Sequence, residues 1–480
     1  MQQTEVIALA GWPPEVLAYA MAKYSRSSLS IRESLLKITT EMAADFLDSI
    51  YIGYGHKSVA DMAHVAMAVE NASEIVAFYL EDEQLWDGQE RSTRYQKKFS
   101  DYVIPAVVKN TPAENRYCLI ANFLVDQHER YSPICFEALV KKHPKPNGMS
   151  DGDYERTLRA RAFDVSRYWL FNGIKTSVGQ ITSARTLEDQ ICRMMASEYL
   201  EVVEIAQQMK KACQEKPFCP LDKNEPPVAP TLVKYTSPNG YLVRIKEYMS
   251  KVVTKFEKEL SLESIEYQRY ATLVPRRFLS IKEEILAGLI YEACNRDYMK
   301  IFYLVSTLSD EEIDTILKDI LSMREKHDAL PRAFAAGHGV QFDVLMDIGG
   351  RRDLHRHRNC IQLHQRFTVD RGFDVPELVK EVGMYEHYTE NMASVAKMIK
   401  EFNVFNCGDY LIPLAFRAGT LYKMDYRQAE YLTVLRSTPQ GHFSYREIAC
   451  EMDRQLRKLV PGLEEYSRVT PFEYEDPFKR

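Results

Sequence analysis

Two stretches of this 480-residue chain repeat one spacing, and that repeat limits the folds open to it more than any other feature. YWLFNGIKTSVGQITSARTLEDQI, residues 168–191, lies over YLIPLAFRAGTLYKMDYRQAEYLT, residues 410–433, at a constant offset of 242. The offset puts Arg185 on Arg427. Further on, Arg193 stands eleven residues before Glu204 and Ile205, and Arg436 stands eleven before Glu447 and Ile448. Shared spacing in the same order points to duplication of a unit. Both stretches run on into segments with helical periodicity, LEDQICRMMASEYLEVVEIAQQMKKA in the first half and RQAEYLTVLRSTPQ followed by SYREIACEMDRQLRKL in the second.

A second correspondence lies upstream. HVAMAVE (64–70) alternates Val65, Met67 and Val69 with its other residues, as a half-buried strand does, and VQFDVLMDI (340–348) does the same with Val340, Phe342 and Val344. A short helical run follows each, SEIVAFYLEDEQ after the first and GGRRDLHRHR after the second. Strand, helix, motif and then long helices in each half predict an α+β fold rather than an alternating parallel α/β one. The break between halves is QEKPFCPLDKNEPPVAPTLVKYTSPNGY at 214–241, whose six prolines disfavour helix. The expected domains are residues 1–215 and 239–480, joined by a linker at 216–238. KKHPKPNGMSDGDY (141–154) reads as a surface excursion within the first half.

With 45% hydrophobic and 27% charged residues the composition is that of an ordinary globular protein. A net charge of −6 supplies no general basic field for a nucleic-acid polymer, so anion binding must come from local clusters. The nine cysteines are scattered without a C-x-x-C pair, which reads as reduced thiols. MQQTEVIALAGWPPEV has no basic region ahead of its short apolar run, and no apolar run approaches the roughly 20 residues of a membrane span. A cytoplasmic protein with no membrane partner is expected.

The densest chemistry is DLHRHRNCIQLHQRF (353–367), with His355, Arg356, His357, Arg358, His364 and Arg366 in fifteen positions. A cationic last turn of a helix accounts for one or two of these. Zinc held by His355, His357 and His364 is a weaker alternative, because the interleaved arginines repel a dication. Arginines in number favour a forked anion, phosphate above all. ERSTRY (90–95) reads either as a polar loop or as a hydroxyl, a guanidinium and an aromatic face for a phosphorylated planar ligand. In GHKSVAD (55–61), His56 and Ser58 are caps or ligands, and STPQGHFSYREI (437–448), with His442 and Arg446, reads as a helix–helix corner. Dinucleotide, P-loop, nucleophile-elbow and zinc-protease motifs are missing from the sequence.

At these residues the chain resembles the flavin-dependent thymidylate synthases, whose signature R-H-R-x-x-S-x-N-E-x-S-x-R-Y follows a GH-x-S segment, a strand and a short helix. The first half carries GHKSVAD and then Gln89, Glu90, Arg91, Ser92, Thr93, Arg94 and Tyr95, matching the distal portion with Gln for Asn. Asp82, Glu83 and Gln84 stand where R-H-R would be. The second half keeps Arg356, His357 and Arg358, while its distal portion shrinks to QLHQRF, two residues short, with Phe367 for Tyr and no matching Ser. TSARTLEDQI around Arg185 is similar to the stretch that opens the family's long C-terminal helix.

The resemblance implies two tandem copies of that family's fold, an antiparallel sheet with long helices. It assigns FAD to Arg356, His357 and Arg358, joined by His56, Arg185 and Arg427. It assigns the nucleotide, dUMP, to Gln89, Glu90, Ser92, Arg94, Tyr95 and Arg436. The implied reaction converts dUMP to dTMP with methylenetetrahydrofolate and NADPH and uses neither a metal nor a cysteine nucleophile. Each half would contribute one portion of the signature to a composite site, and a homodimer would mimic the family's tetramer. Two other readings share these residues: modification of another pyrimidine nucleotide by flavin and folate, and a nonenzymatic nucleotide-binding paralogue.

Overall fold

A computed structural model describes residues 7, 9–25, 27, 29–49, 57–92, 101–261, 268–275, 280–402, 404, 406–462, 464–474 and 476–479. The chain divides into a smaller compact unit (1–70, 79–91 and 177–239) and a larger one (71–78, 92–176 and 240–480). Helices α1 (Pro14–Tyr24), α2 (Ile31–Leu35) and α3 (Thr40–Leu47) precede strand β1 (His64–Ser73), α4 (Glu74–Glu81) and β2 (Asp87–Glu90). Then come α5 (Pro112–Lys142) and α6 (Asp151–Ser166), followed by β3 (Lys175–Ser183), α7 (Ala184–Met195) and α8 (Leu200–Gln214). The rest of the chain forms α9 (Gly240–Lys255), β4 (Tyr270–Leu273), α10 (Ile281–Ala293), α11 (Tyr298–Thr307), α12 (Asp310–Ser322) and β5 (Val340–Asp347). It continues through α13 (Ile348–His355), β6 (Ile361–His364), α14 (Glu377–Glu381), α15 (Tyr385–Lys400), β7 (Arg417–Met424), α16 (Tyr426–Arg436) and α17 (Phe443–Leu456).

One sheet has the order β1-β3-β2 and the other β4-β5-β7-β6. β2 runs antiparallel to β3, and every pair in the second sheet is antiparallel, so the fold is α+β. Both sheets place the last strand of a strand–helix–strand–strand series between the other two. That last strand begins at Lys175 in one sheet and Arg417 in the other, the 242-residue offset read from the sequence.

Four strands lead straight into helices; β1, β3 and β5 end on the residue that caps the helix they meet, and β7 is followed by its cap, Asp425. Ser73 Oγ accepts from the Val76 amide (3.3 Å) and Ser183 Oγ from Thr186 (3.2 Å). Asp347 Oδ1 accepts from Gly350 (2.6 Å) and Asp425 Oδ1 from Gln428 (2.8 Å). Each cap satisfies an otherwise orphaned amide and contributes about 1 kcal/mol.

β1 has the expected alternation, with Val65 and Val69 buried and Ala66 and Ala68 exposed. β5 departs from it. Phe342, Val344 and Met346 pack with Tyr422, Leu432, Ile448 and Met452, while the opposite face meets a cluster that includes Tyr291, Tyr298, Leu363 and Leu421. β5 is therefore buried on both sides. Asp343, whose polarity suggested a solvent-facing position, accepts from Tyr298 N (2.8 Å), Tyr291 OH (2.9 Å) and Tyr270 OH (3.0 Å).

Residues 216–238 contain neither helix nor strand, as their prolines predict. They are part of the smaller unit and are tied into it: the amides of Thr231 and Leu232 donate to Glu15 Oε1 at 2.8 and 2.7 Å, and Ala229 N donates to Cys213 O at 3.1 Å. All nine cysteines are free. Among the described residues no helix is long and apolar enough to cross a membrane.

Candidate functional site

The basic cluster sits on α13 and the turn into β6. Helical geometry sends its side chains in different directions. Arg351 and His355 point inward, Arg352 meets Glu74 at 3.1 Å, and Arg356, at the C-cap, is exposed. Arg351 is 2% exposed and lies over the rings of Phe78 (4.8 Å) and Phe367 (5.4 Å), with Nη2 2.8 Å from His364 Nδ1. His355 stacks on Phe78 at 4.5 Å, and His364 meets the same ring edge-on at 4.9 Å. This part of the cluster is a cation–aromatic core, in which dispersion and ring electrostatics help offset desolvation of the guanidinium. Arg358 is half-buried, and exposed Arg366 donates to Asn406 Oδ1 (2.9 Å).

His357 and Arg436 form the other part. Arg436, in the last turn of α16, donates from Nε to His357 Nε2 at 2.8 Å, and its Nη1 lies 3.6 Å from Asp353 Oδ1. Asp353 Oδ1 is also 3.7 Å from Arg356 Nη1. Burial first, and then the Arg436 charge, push the His357 imidazole down to about 3, so it is neutral at pH 7. Gln362 Nε2 fixes the turn by donating to His355 O (3.1 Å) and His357 O (2.9 Å). Burial pushes the Cys360 thiol up to about 12, and its Sγ donates to His357 O (2.8 Å), so no thiolate forms at neutral pH.

In the smaller unit, Arg193 sits in the last turn of α7. Its Nε and Nη2 reach Glu83 Oε1 at 2.9 and 2.8 Å, its Nη1 is 3.6 Å from Asp82 Oδ2, and Nη2 donates to Tyr79 O at 2.7 Å. The guanidinium lies 5.8 Å from the Tyr79 ring centre.

The structure thus brings His357 and Arg436 into contact, with Asp353 reaching both Arg436 and Arg356. Arg427, in the first turn of α16, is exposed. Arg185, exposed in the smaller unit, pairs with Asp61 at 3.1 Å. Gln89 and Glu90 lie on β2 opposite Gly179 and Val178, and Ser92, beyond the strand, is exposed. His56, Arg94 and Tyr95 lie outside the described residues. His442 and Arg446 form the expected helix corner. His442 caps α17 and lies 3.0 Å from Asp164 O, while Arg446 donates to Ser437 O (3.1 Å) and Tyr474 O (2.8 Å).

Sequence reasoning missed a buried network of acids and arginines. Asp374 pairs with Arg417 and, at 2.9 Å, with Arg269, and Arg371 pairs with Asp297. Burial pushes the carboxyls of Asp343 and Asp347 up to about 6. The cap at Asp347 was readable as a polar residue between strand and helix. The buried arginines had no signal, because arginine is ordinarily a surface residue.

The model of the thymidylate synthase complementing protein family matches residues 8–220 and 288–462. A UPF0159 protein of Chlamydia muridarum is 24% identical, with 98% of this chain and 93% of that protein covered. A UPF0159 protein of Chlamydia pneumoniae is also 24% identical, covering 98% and 92%. One of Thermoplasma acidophilum is 24% identical over 92% of this chain and 93% of the relative.

Proposed function

Because the chain belongs to the thymidylate synthase complementing protein family, we propose that it is a flavin-dependent synthase converting dUMP to dTMP with methylenetetrahydrofolate and NADPH. The observation that carries this reading is the donor set at the end of α13. Arg356 is exposed and Arg358 half-buried beside a neutral His357 that accepts from Arg436. Forked guanidinium donors around an uncharged imidazole fit the phosphates of FAD.

Bound there, the flavin supplies the redox and methylene-transfer chemistry. In this reading the chain's own residues bind and orient. Arg356 and Arg358 hold phosphate oxygens of FAD, and Arg436, which the resemblance assigns to dUMP, joins them here because it donates to His357, which aims it without neutralising it. Gln89, Glu90, Ser92, Arg94 and Tyr95 serve the nucleotide, and Cys360 takes no nucleophilic part because its thiol stays protonated. The reading includes two tandem copies, 1–215 and 239–480, joined by 216–238, in a cytoplasmic homodimer. The like strand orders and the like caps of the two sheets support the duplication.

The test is a visible spectrum of the purified chain after incubation with FAD and removal of the excess. Retained oxidised flavin, bleached by anaerobic NADPH and followed by dTMP formation from dUMP and methylenetetrahydrofolate, is the expected result. A colourless protein overturns the reading. Oxidation of NADPH that depends on dUMP without forming dTMP would point to a different change in a pyrimidine nucleotide.

A further inference from the structure

Each unit carries an arginine in the last turn of the helix that follows β3 or β7, Arg193 on α7 and Arg436 on α16. Each arginine turns toward residues at the end of the helix that follows the first strand of the series, 79–83 in the smaller unit and 353–357 in the larger. The two places match in topology and oppose each other in charge. Arg436 rests on a neutral imidazole, and among the described residues one carboxylate, Asp353, faces it at 3.6 Å. Arg193 meets two carboxylates: Glu83 Oε1 takes both Nε and Nη2 at 2.9 and 2.8 Å, a charge-assisted pairing of the kind a ligand's anionic oxygen would make, and Asp82 Oδ2 lies 3.6 Å from Nη1. Asp82, Glu83 and Arg193 have side chains only 16, 15 and 20% exposed, so water weakens this pairing less than it would at the surface. The Tyr79 carbonyl takes a further bond and its ring lies near the guanidinium.

We propose that the smaller unit's counterpart of the anion subsite is closed from within. Glu83 and Asp82 occupy Arg193 as an anionic ligand would. Each chain therefore holds one such subsite, at Arg436, and it takes a phosphate-bearing ligand. An acid of the same chain competes with any outside anion without the entropy loss of association. Removing the two charges from the smaller unit opens a second subsite. The identity of the ligand as FAD rests on the proposed function; the count of subsites does not.

Stoichiometry on the full-length chain tests this with two probes. FAD retained after gel filtration, read from its visible absorbance, is expected at one per chain, unchanged in Arg193→Lys and lost in Arg436→Ala. Inorganic pyrophosphate, measured by calorimetry, is expected at one equivalent in the wild type and in Arg193→Lys. It is expected at two in Asp82→Asn/Glu83→Gln, the new equivalent binding roughly tenfold or more tighter than any second binding by the wild type. Should the double variant fail to fold, Glu83→Gln alone removes the negative charge that holds Arg193 Nε and Nη2 and carries the same expectation. FAD absent but pyrophosphate in this pattern refutes the flavin reading and upholds the inference. Two equivalents of either probe in the wild type, none of either, or no second equivalent in a folded charge-neutral variant overturns the inference.

Discussion

Arg436 Nε donates to His357 Nε2 across 2.8 Å, so a permanent cation is positioned by a side chain that carries no charge. The arrangement requires the imidazole to stay unprotonated at the atom that accepts. Burial and the arginine's own charge both enforce this.

Acid should therefore weaken the fold through His357. The unfolded side chain titrates at about 6.5, whereas the folded one is held down to about 3. Below pH 6.5 the unfolded chain binds the extra proton, so this contribution is complete above that pH and is lost as pH falls toward 3. The loss at pH 5 is about 2 kcal/mol. His357→Gln can still accept from Arg436 but does not titrate. Urea unfolding at pH 7.5 and pH 5 should show a smaller difference in the variant than in the wild type, and equal differences would refute the assignment.

Asp347 has the opposite sign. Burial first, and then the charge of Asp374, raise its folded carboxyl to about 6. Its contribution is present below the unfolded value of about 4 and is lost as pH rises through about 6. Asparagine caps a helix as well as aspartate does. At pH 7.5, Asp347→Asn is expected to match or exceed wild-type stability by about 1 kcal/mol, with a flatter profile between pH 4 and 7. A loss of stability at pH 7.5 would show that the charge itself is required.

The smaller unit depends on a chain of buried amides. Trp86 Nε1 donates to Gln180 Oε1 (2.7 Å), Gln180 Nε2 to Gln190 Oε1 (2.9 Å) and Gln190 Nε2 to Leu80 O (2.8 Å). Gln190→Leu strands the Gln180 amide and the Leu80 carbonyl, at an expected cost of about 2–3 kcal/mol. Thermal unfolding reads the loss, and a change in Trp86 emission locates it. An unchanged melting temperature would argue against the chain.

Arg193→Ala takes the guanidinium away from two adjacent, largely buried acids, Asp82 and Glu83. A fully buried pair broken on one side costs about 3–5 kcal/mol, and their partial exposure reduces the expectation here to about 2 kcal/mol. Arg193→Lys keeps the charge and loses the fork, so it should cost less than half as much. The same cost for both variants would mean that packing of the side chain, not its charge, is what matters.

Sequence reasoning succeeded where the forces are local. β1, α4, β5 and α13 follow from side-chain period, and the strand-to-helix boundaries fall on Ser and Asp residues that cap. It failed at Asp343, which alternates as a surface residue does but is enclosed by Tyr270, Tyr291 and the Tyr298 amide. Arg351 was hidden for a related reason: Phe78, the ring it rests on, lies far away in the chain. The six clustered bases read as one anion site, yet His355 and His364 serve the aromatic core around Phe78.

By itself the sequence determined β1 and β5, the helices α4 and α13 that follow them, and the polar residues Ser73 and Asp347 that cap those helices. Each of these is set within a few residues, by side-chain direction and the nearest orphaned amides. Only the tertiary structure decided which arginine is neutralised. Arg193 meets two carboxylates, and Arg436 a neutral imidazole with one carboxylate 3.6 Å away, because α7 and α16 each fold back on residues far upstream. Charge compensation and desolvation act through space, and no local pattern along the chain records them.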